Sequence, residues 1–128
     1  GHLVDILPTC PEVAGATPLK ERAGTAVLPP EGRSLVPAFA NQPLQREALY
    51  WEHEGNAAIR VGDLKLVRAG RNGAWELYDL KKDRTEQQDL AAAQPDKVKE
   101  LAAQWEAWAL RANVKPYPEA GGKKKKGK

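Results

Sequence analysis

Between residues 48 and 80 apolar and polar positions alternate, and between 95 and 112 they recur every three or four residues. The first period is that of a half-buried strand and the second that of an amphipathic helix. Ala48 to Glu54 places Leu49, Trp51 and His53 on one face and Tyr50, Glu52 and Glu54 on the other. Gly55-Asn56 reads as a turn, Ala57 to Val61 as a second strand and Gly62-Asp63 as a tight turn into Leu64 to Ala69. Gly70 to Gly73 is a further turn, and Trp75 to Leu80 a fourth strand. Connections this short force antiparallel neighbours, which makes the sheet a meander. A sheet of that size needs a cover on one face. Pro95 to Ala112 supplies it: Val98, Leu101, Trp105, Trp108 and Ala112 form one apolar stripe. Pro95 at the first helical position and Asp96 beside it favour the helix start, and Asn113 and Pro116 end it.

Upstream the pattern is less regular. Val4 to Ala14 has helical features, with Asp5 placed to cap the start, Pro8 in the first turn and Gly15 at the end. Pro11 removes a backbone donor and crowds the carbonyl four residues back, so a short or distorted helix is predicted. Ala16 to Pro43 is a long connection rich in Pro and Gly, unusual inside a free-standing compact domain. It reads as a strap over a neighbouring body, with Ser34 capping a helical turn through Leu35, Val36 and Phe39 that pins it by burial. The expected fold class is therefore α+β: a four-stranded antiparallel meander on one C-terminal helix, preceded by a short helix and a long loop. Residues 1–43 form the terminal helix and strap, 44–116 the sheet-and-helix subdomain, and 117–128 a Lys-rich tail.

Composition changes this picture in three places. The chain of 128 residues and 14.0 kDa is long enough for one modest core. Its net charge of +3 comes from the tail: five lysines lie in the last six residues, and without them 15 Lys and Arg face 17 Asp and Glu. The body is thus mildly acidic, and GGKKKKGK has nothing apolar to bury, which predicts a solvating, disordered segment. Its attraction for phosphates is unspecific and salt-sensitive, so no specific nucleic-acid partner is expected. No apolar run approaches the roughly 20 residues needed to span a bilayer. The start, GHLVDILPTC, lacks a basic region and an initiator methionine, and reads as the interior of a longer chain. A single Cys leaves the redox compartment open.

Four segments carry a family likeness, in order and near the family's spacing. DILPTCPEVAGA is similar to an Asp-Ile-x-Pro-Thr helix, and GRSLVPAF to a Gly-x-Ser-Leu-x-Pro stretch. LYWEHEGNAAIRVGDLKLV is similar to a Trp-Glu-His-Glu-Gly-Asn strand followed by Arg-x-Gly-x-x-Lys. WELYDLKKDRTEQQDLA is similar to a Glu-Leu-Tyr-Asp-Leu run ending in Asn-Leu-Ala. Together, across Leu3 to Trp108, they resemble the C-terminal portion of the sulfatase family, in particular bacterial arylsulfatase-like enzymes. Pro11 and Leu64 depart from the pattern, which has an apolar and an aromatic residue there.

The resemblance implies a small C-terminal subdomain docked on a sulfatase catalytic domain in the same parent chain. It implies hydrolysis of sulfate esters of a small molecule or carbohydrate by that parent, and a periplasmic or secreted location. In such enzymes a formylglycine, made from Cys in Cys-x-Pro-x-Arg, attacks sulfur beside a calcium ion held by carboxylates and an amide. The alternative is a free-standing small α+β interaction module whose basic tail binds nucleic acid or anionic surfaces.

Candidate chemistry within the chain is sparse. Cys10 is followed by Glu12 and Ala14 where the formylglycine motif needs Pro and Arg, so it reads as an ordinary helix residue, half-buried. Asp79, Asp83, Glu86 and Asp89 lack the Asp/Asn alternation and central Gly of a calcium loop and suit turn and capping roles. Arg60 and Lys65 flank a turn on different strands, and spacing alone gives no reason for them to converge. His53 remains, as a structural residue at an interface, a substrate contact at a pocket rim, or a metal ligand. Its neighbours Glu52 and Glu54 point to the opposite face. The expected rim is His53, Glu54 and Asn56, with no catalytic residue and no metal ligand in this stretch.

Overall fold

The structure, a computed structural model, describes residues 1–115; the Lys-rich tail lies outside them. The chain divides into two compact units, residues 1–45 and a second beginning at Arg46.

The first unit holds a 3-10 turn (Leu3–Asp5) running into α1 (Ile6–Val13), and α2 (Val36–Phe39). Pro11 sits inside α1, which is only eight residues long, and Gly15 follows it at φ +64° as a left-handed terminator. The long connection is not without structure: β1 (Glu21–Arg22) and β2 (Thr25–Ala26) pair around Ala23-Gly24, both with positive φ. Two side chains hold the connection to the helix. Asp5, fully buried, accepts the Arg33 N–H at 2.9 Å, and the buried Thr9 hydroxyl accepts the Leu35 N–H at 2.9 Å while donating to the Asp5 carbonyl at 2.5 Å. Buried polar groups are stable only when bonded in this way. Gly32 completes the clasp, because a Cβ there would lie 1.9 Å from the Val4 carbonyl oxygen. The DILPT and GRSL segments are therefore two halves of one joint. Ser34 Oγ does accept the Val36 N–H, at 3.2 Å, and Phe39 is 69% exposed within this chain.

In the second unit β3 (Leu49–His53), β4 (Asn56–Val61), β5 (Leu64–Arg68) and β6 (Trp75–Asp79) form an antiparallel sheet in sequence order, and α3 (Pro95–Arg111) packs on it. The first hairpin turns one residue earlier than the sequence suggests. His53 pairs with Asn56, and the two loop residues are Glu54 (φ +52°) and Gly55 (φ +84°), a type I′ arrangement that matches strand twist. Val61 pairs with Leu64 around Gly62-Asp63, with positive φ only at Gly62, the type II′ pattern.

Strand alternation sends Ala57, Ile59, Leu66 and Leu77 to the face under α3, where they meet Leu101, Trp105 and Ala109. The helix stripe is rotated from expectation: Ala109 is buried and Ala112 exposed, because 3.6 residues per turn drifts away from a strict heptad. Trp108 is half-buried and stacks on Tyr50, ring centres 5.0 Å apart. Trp105 lies edge-on to Trp75 at 6.0 Å, and its indole N–H donates to the Trp51 carbonyl at 3.0 Å. The free edge of β6 is occupied: Leu77 N–H donates to Asp89 Oδ1 and Leu77 carbonyl accepts from Leu90 N–H.

Trp105→Ala removes an aromatic anchor and its hydrogen bond together. It is expected to lower stability by about 3–5 kcal/mol, read from the denaturant midpoint. Leu110→Gln, on the exposed side of the same helix, is expected to change it by less than about 0.5 kcal/mol. Equal effects of the two would contradict this packing.

Candidate functional site

The β3–β4 corner carries His53, Glu54 and Asn56. Asn56 braces it from both ends of its amide: Nδ2 donates to the His53 carbonyl at 2.8 Å, and Oδ1 accepts the Gly70 N–H from the β5–β6 turn at 2.8 Å. Glu52 Oε1 accepts the Gly55 N–H at 2.9 Å across the same turn. The left-handed conformation of Glu54 is uncommon for a residue with a Cβ, and these three bonds hold it.

His53 and Asn56 are exposed and lie on the sheet face opposite α3, in line with Trp51, Ala58 and Val67. They border a cavity of about 330 Å³ whose far side carries Glu76 and Glu86. Glu54 does not line that cavity: as a turn residue it stands beyond the strand end. His53 and Asn56 thus share one face of the sheet, and Glu54 stands in the turn between them.

Farther along this face the charged side chains are engaged with one another. Arg60 and Lys65 are direct cross-strand partners and so do come together, which their separation by a turn concealed. Arg60 Nε donates to the Gly62 carbonyl at 2.9 Å and Lys65 pairs with Glu86, leaving no joint anion site. Tyr78, 7% exposed, donates its hydroxyl to Glu76 Oε2 at 2.6 Å. That bond to a carboxylate, with burial and the charge of Glu76 behind it, pushes the phenol up to about 12.

The carboxylates that could suggest a calcium loop serve the backbone. Asp79 Oδ1 accepts Lys81 N–H, Asp89 Oδ1 accepts Leu77 and Ala91 N–H, and Asp83 Oδ2 accepts Gln87 and Gln88 N–H at 2.7 and 2.8 Å. These bonds, chiefly that from Gln88, hold the Asp83 carboxyl below its ordinary range. Among the described residues no group of three His, Cys, Asp or Glu could hold a metal ion. Cys10 is exposed on α1 rather than half-buried.

Sequence reasoning passed over Arg68. It lies opposite Ala57 and Trp75 in the register, on the face under α3, with its guanidinium 4.6 Å from the Trp75 ring centre and 5.4 Å from that of Trp105. The signal was available: Leu64, Leu66 and Arg68 alternate onto one face, and an arginine there has to find partners.

No family model matches the chain. It is 32% identical over 124 residues to an uncharacterized sulfatase of Schizosaccharomyces pombe, a match covering 91% of this chain and 22% of that protein. The chain is thus similar to part of a sulfatase. Solved structures agree. A 2-O GAG sulfatase superposes with a TM-score of 0.63 at 26% identity, over 86% of this chain and 25% of its own. A protein solved with its substrate D-glucosamine-2-N,6-O-disulfate superposes with a TM-score of 0.61 at 26% identity, over 91% of this chain and 25% of its own. This sulfatase relative therefore spans about a quarter or less of the proteins it matches.

The Tyr78–Glu76 bond predicts a late titration. A phenol raised in the folded state adds stability that is complete below about pH 10 and lost as pH climbs through about 12. The difference in tyrosinate absorbance between wild type and Tyr78→Phe is expected to stay flat to about pH 11 and rise near 12. A rise centred on 10, the value of a free tyrosine, would show that the bond is not made.

Proposed function

We propose that this chain is the C-terminal, non-catalytic portion of an arylsulfatase-type enzyme that hydrolyses sulfate esters, supporting a catalytic domain in the same parent chain. The carrying observation is the alignment of nearly the whole chain with about a fifth of a sulfatase. The residues support a non-catalytic role. Cys10 lacks the Pro and Arg that the formylglycine motif requires, and the acidic residues between 79 and 89 are engaged by backbone donors and Lys65. Neither formylglycine nor calcium fits these residues; the resemblance implies both for the parent.

Within that parent, His53 and Asn56 line the rim of the substrate pocket, where a sulfated small molecule or carbohydrate is bound. The braced corner suits this: Asn56 fixes the backbone, and the His53 imidazole, with a donor and an acceptor nitrogen, is presented on an exposed face. Glu54 serves by its backbone geometry.

Three measurements test the reading. The purified chain alone is expected to show no turnover of an aryl sulfate, and turnover above contamination would overturn the non-catalytic role. In the parent enzyme, His53→Ala is expected to lower kcat/KM by about tenfold, the size of one lost hydrogen bond to a charged group, with unchanged thermal midpoint. Glu54→Asn is expected to leave activity unchanged and to stabilise the turn, since Asn-Gly is the favoured pair for type I′. An unaffected His53→Ala enzyme would remove the rim assignment.

A further inference from the structure

We infer that the end of the sheet beneath the last turns of α3 is a binding pocket for a small oxyanion. The inference goes beyond the rim reading, because this pocket lies on the α3 side of the sheet while His53 and Asn56 lie on the other. It is a cavity of about 310 Å³ lined by the cations Arg68, Arg71 and Lys115, by Asn72 and by the carboxylates Glu52 and Glu106. That volume falls at the small end of ligand sites.

Arg68 supplies the strongest reason. Its guanidinium lies against Trp75 and Trp105, and its Nε is buried with no acceptor among the described residues. Ring faces stabilise the cation, but they leave the in-plane Nε–H unsatisfied, and a buried donor without an acceptor is costly. An oxyanion in the guanidinium plane satisfies it with a charge-assisted bond. Arg71 and Lys115 add two exposed cations at the mouth, neither of them paired among the described residues, and Asn72 adds an amide donor.

Of the two carboxylates at the cavity, Glu52 is engaged with the Gly55 N–H. Glu106, exposed on α3, is left to oppose the entry of polyanions, so the site suits a ligand carrying one anionic group. Trp105 and the other apolar lining residues, Ala109 and Val114, give that ligand a non-polar wall.

The test is an NMR titration of the full chain with sodium sulfate and with sodium phosphate, each against sodium chloride at equal ionic strength. The Trp105 indole N–H and the Arg68 Nε–H are the reporters. Saturable shifts are expected with at least one of the two oxyanions and none with chloride. Arg71→Gln and Lys115→Gln, both at exposed positions, are each expected to weaken binding about tenfold. Glu106→Gln is expected to strengthen it, and deletion of residues 121–128 to leave it unchanged. Shifts that only follow ionic strength, that are as strong in both cation variants as in the wild type, or that vanish with the tail would overturn the site.

Discussion

A four-stranded sheet of five- and six-residue strands does not hold together by its ladder alone; it needs a body against one face. Here that body is α3, and the contact that fixes it is Trp105. One side chain buries its ring among Ile59, Leu66 and Leu77, packs edge-on against Trp75 and ties its indole N–H to the carbonyl of Trp51. The last bond joins residues 54 apart in sequence, so a single aromatic sets both the depth of the helix and the position of the first strand. The consequence for the corner is direct: β3 is held through Trp51, two residues before His53, and Asn56 then ties the hairpin end to the next turn.

The first unit solves a similar problem with polar groups. Its helix carries few side chains that reach a core, and Leu3, Ile6, Leu7 and Val13 are largely exposed. What orders the connection is the pair Asp5 and Thr9, which together receive two backbone N–H groups from a segment more than 25 residues away. Such bonds are directional and fail if either partner shifts, so they define a joint where packing does not. The DILPT and GRSL stretches, far apart in sequence, are joined in this way.

A histidine and an asparagine are presented on a braced hairpin, while the cysteine and the carboxylates stand in positions that suit structure. The pocket under α3 is bordered by Arg68, whose guanidinium also lies against the rings of Trp75 and Trp105, so one residue belongs to both core and cavity wall.

The sequence by itself determined the α+β class, the four strands and their order, and the span of α3, because alternation and helical periodicity are local and the Gly turns are too short for any other pairing. It placed the first turn one residue late and put Ala112 in the helix stripe, because both depend on small offsets that only packing decides: which residue takes positive φ, and how the helix rotates over the sheet. Tertiary structure alone brought Arg60 beside Lys65, joined Asp5 and Thr9 to the strap, and set Arg68 between two tryptophans. Each of those is a meeting of residues from separate segments, and local periodicity carries no information about which distant segments meet.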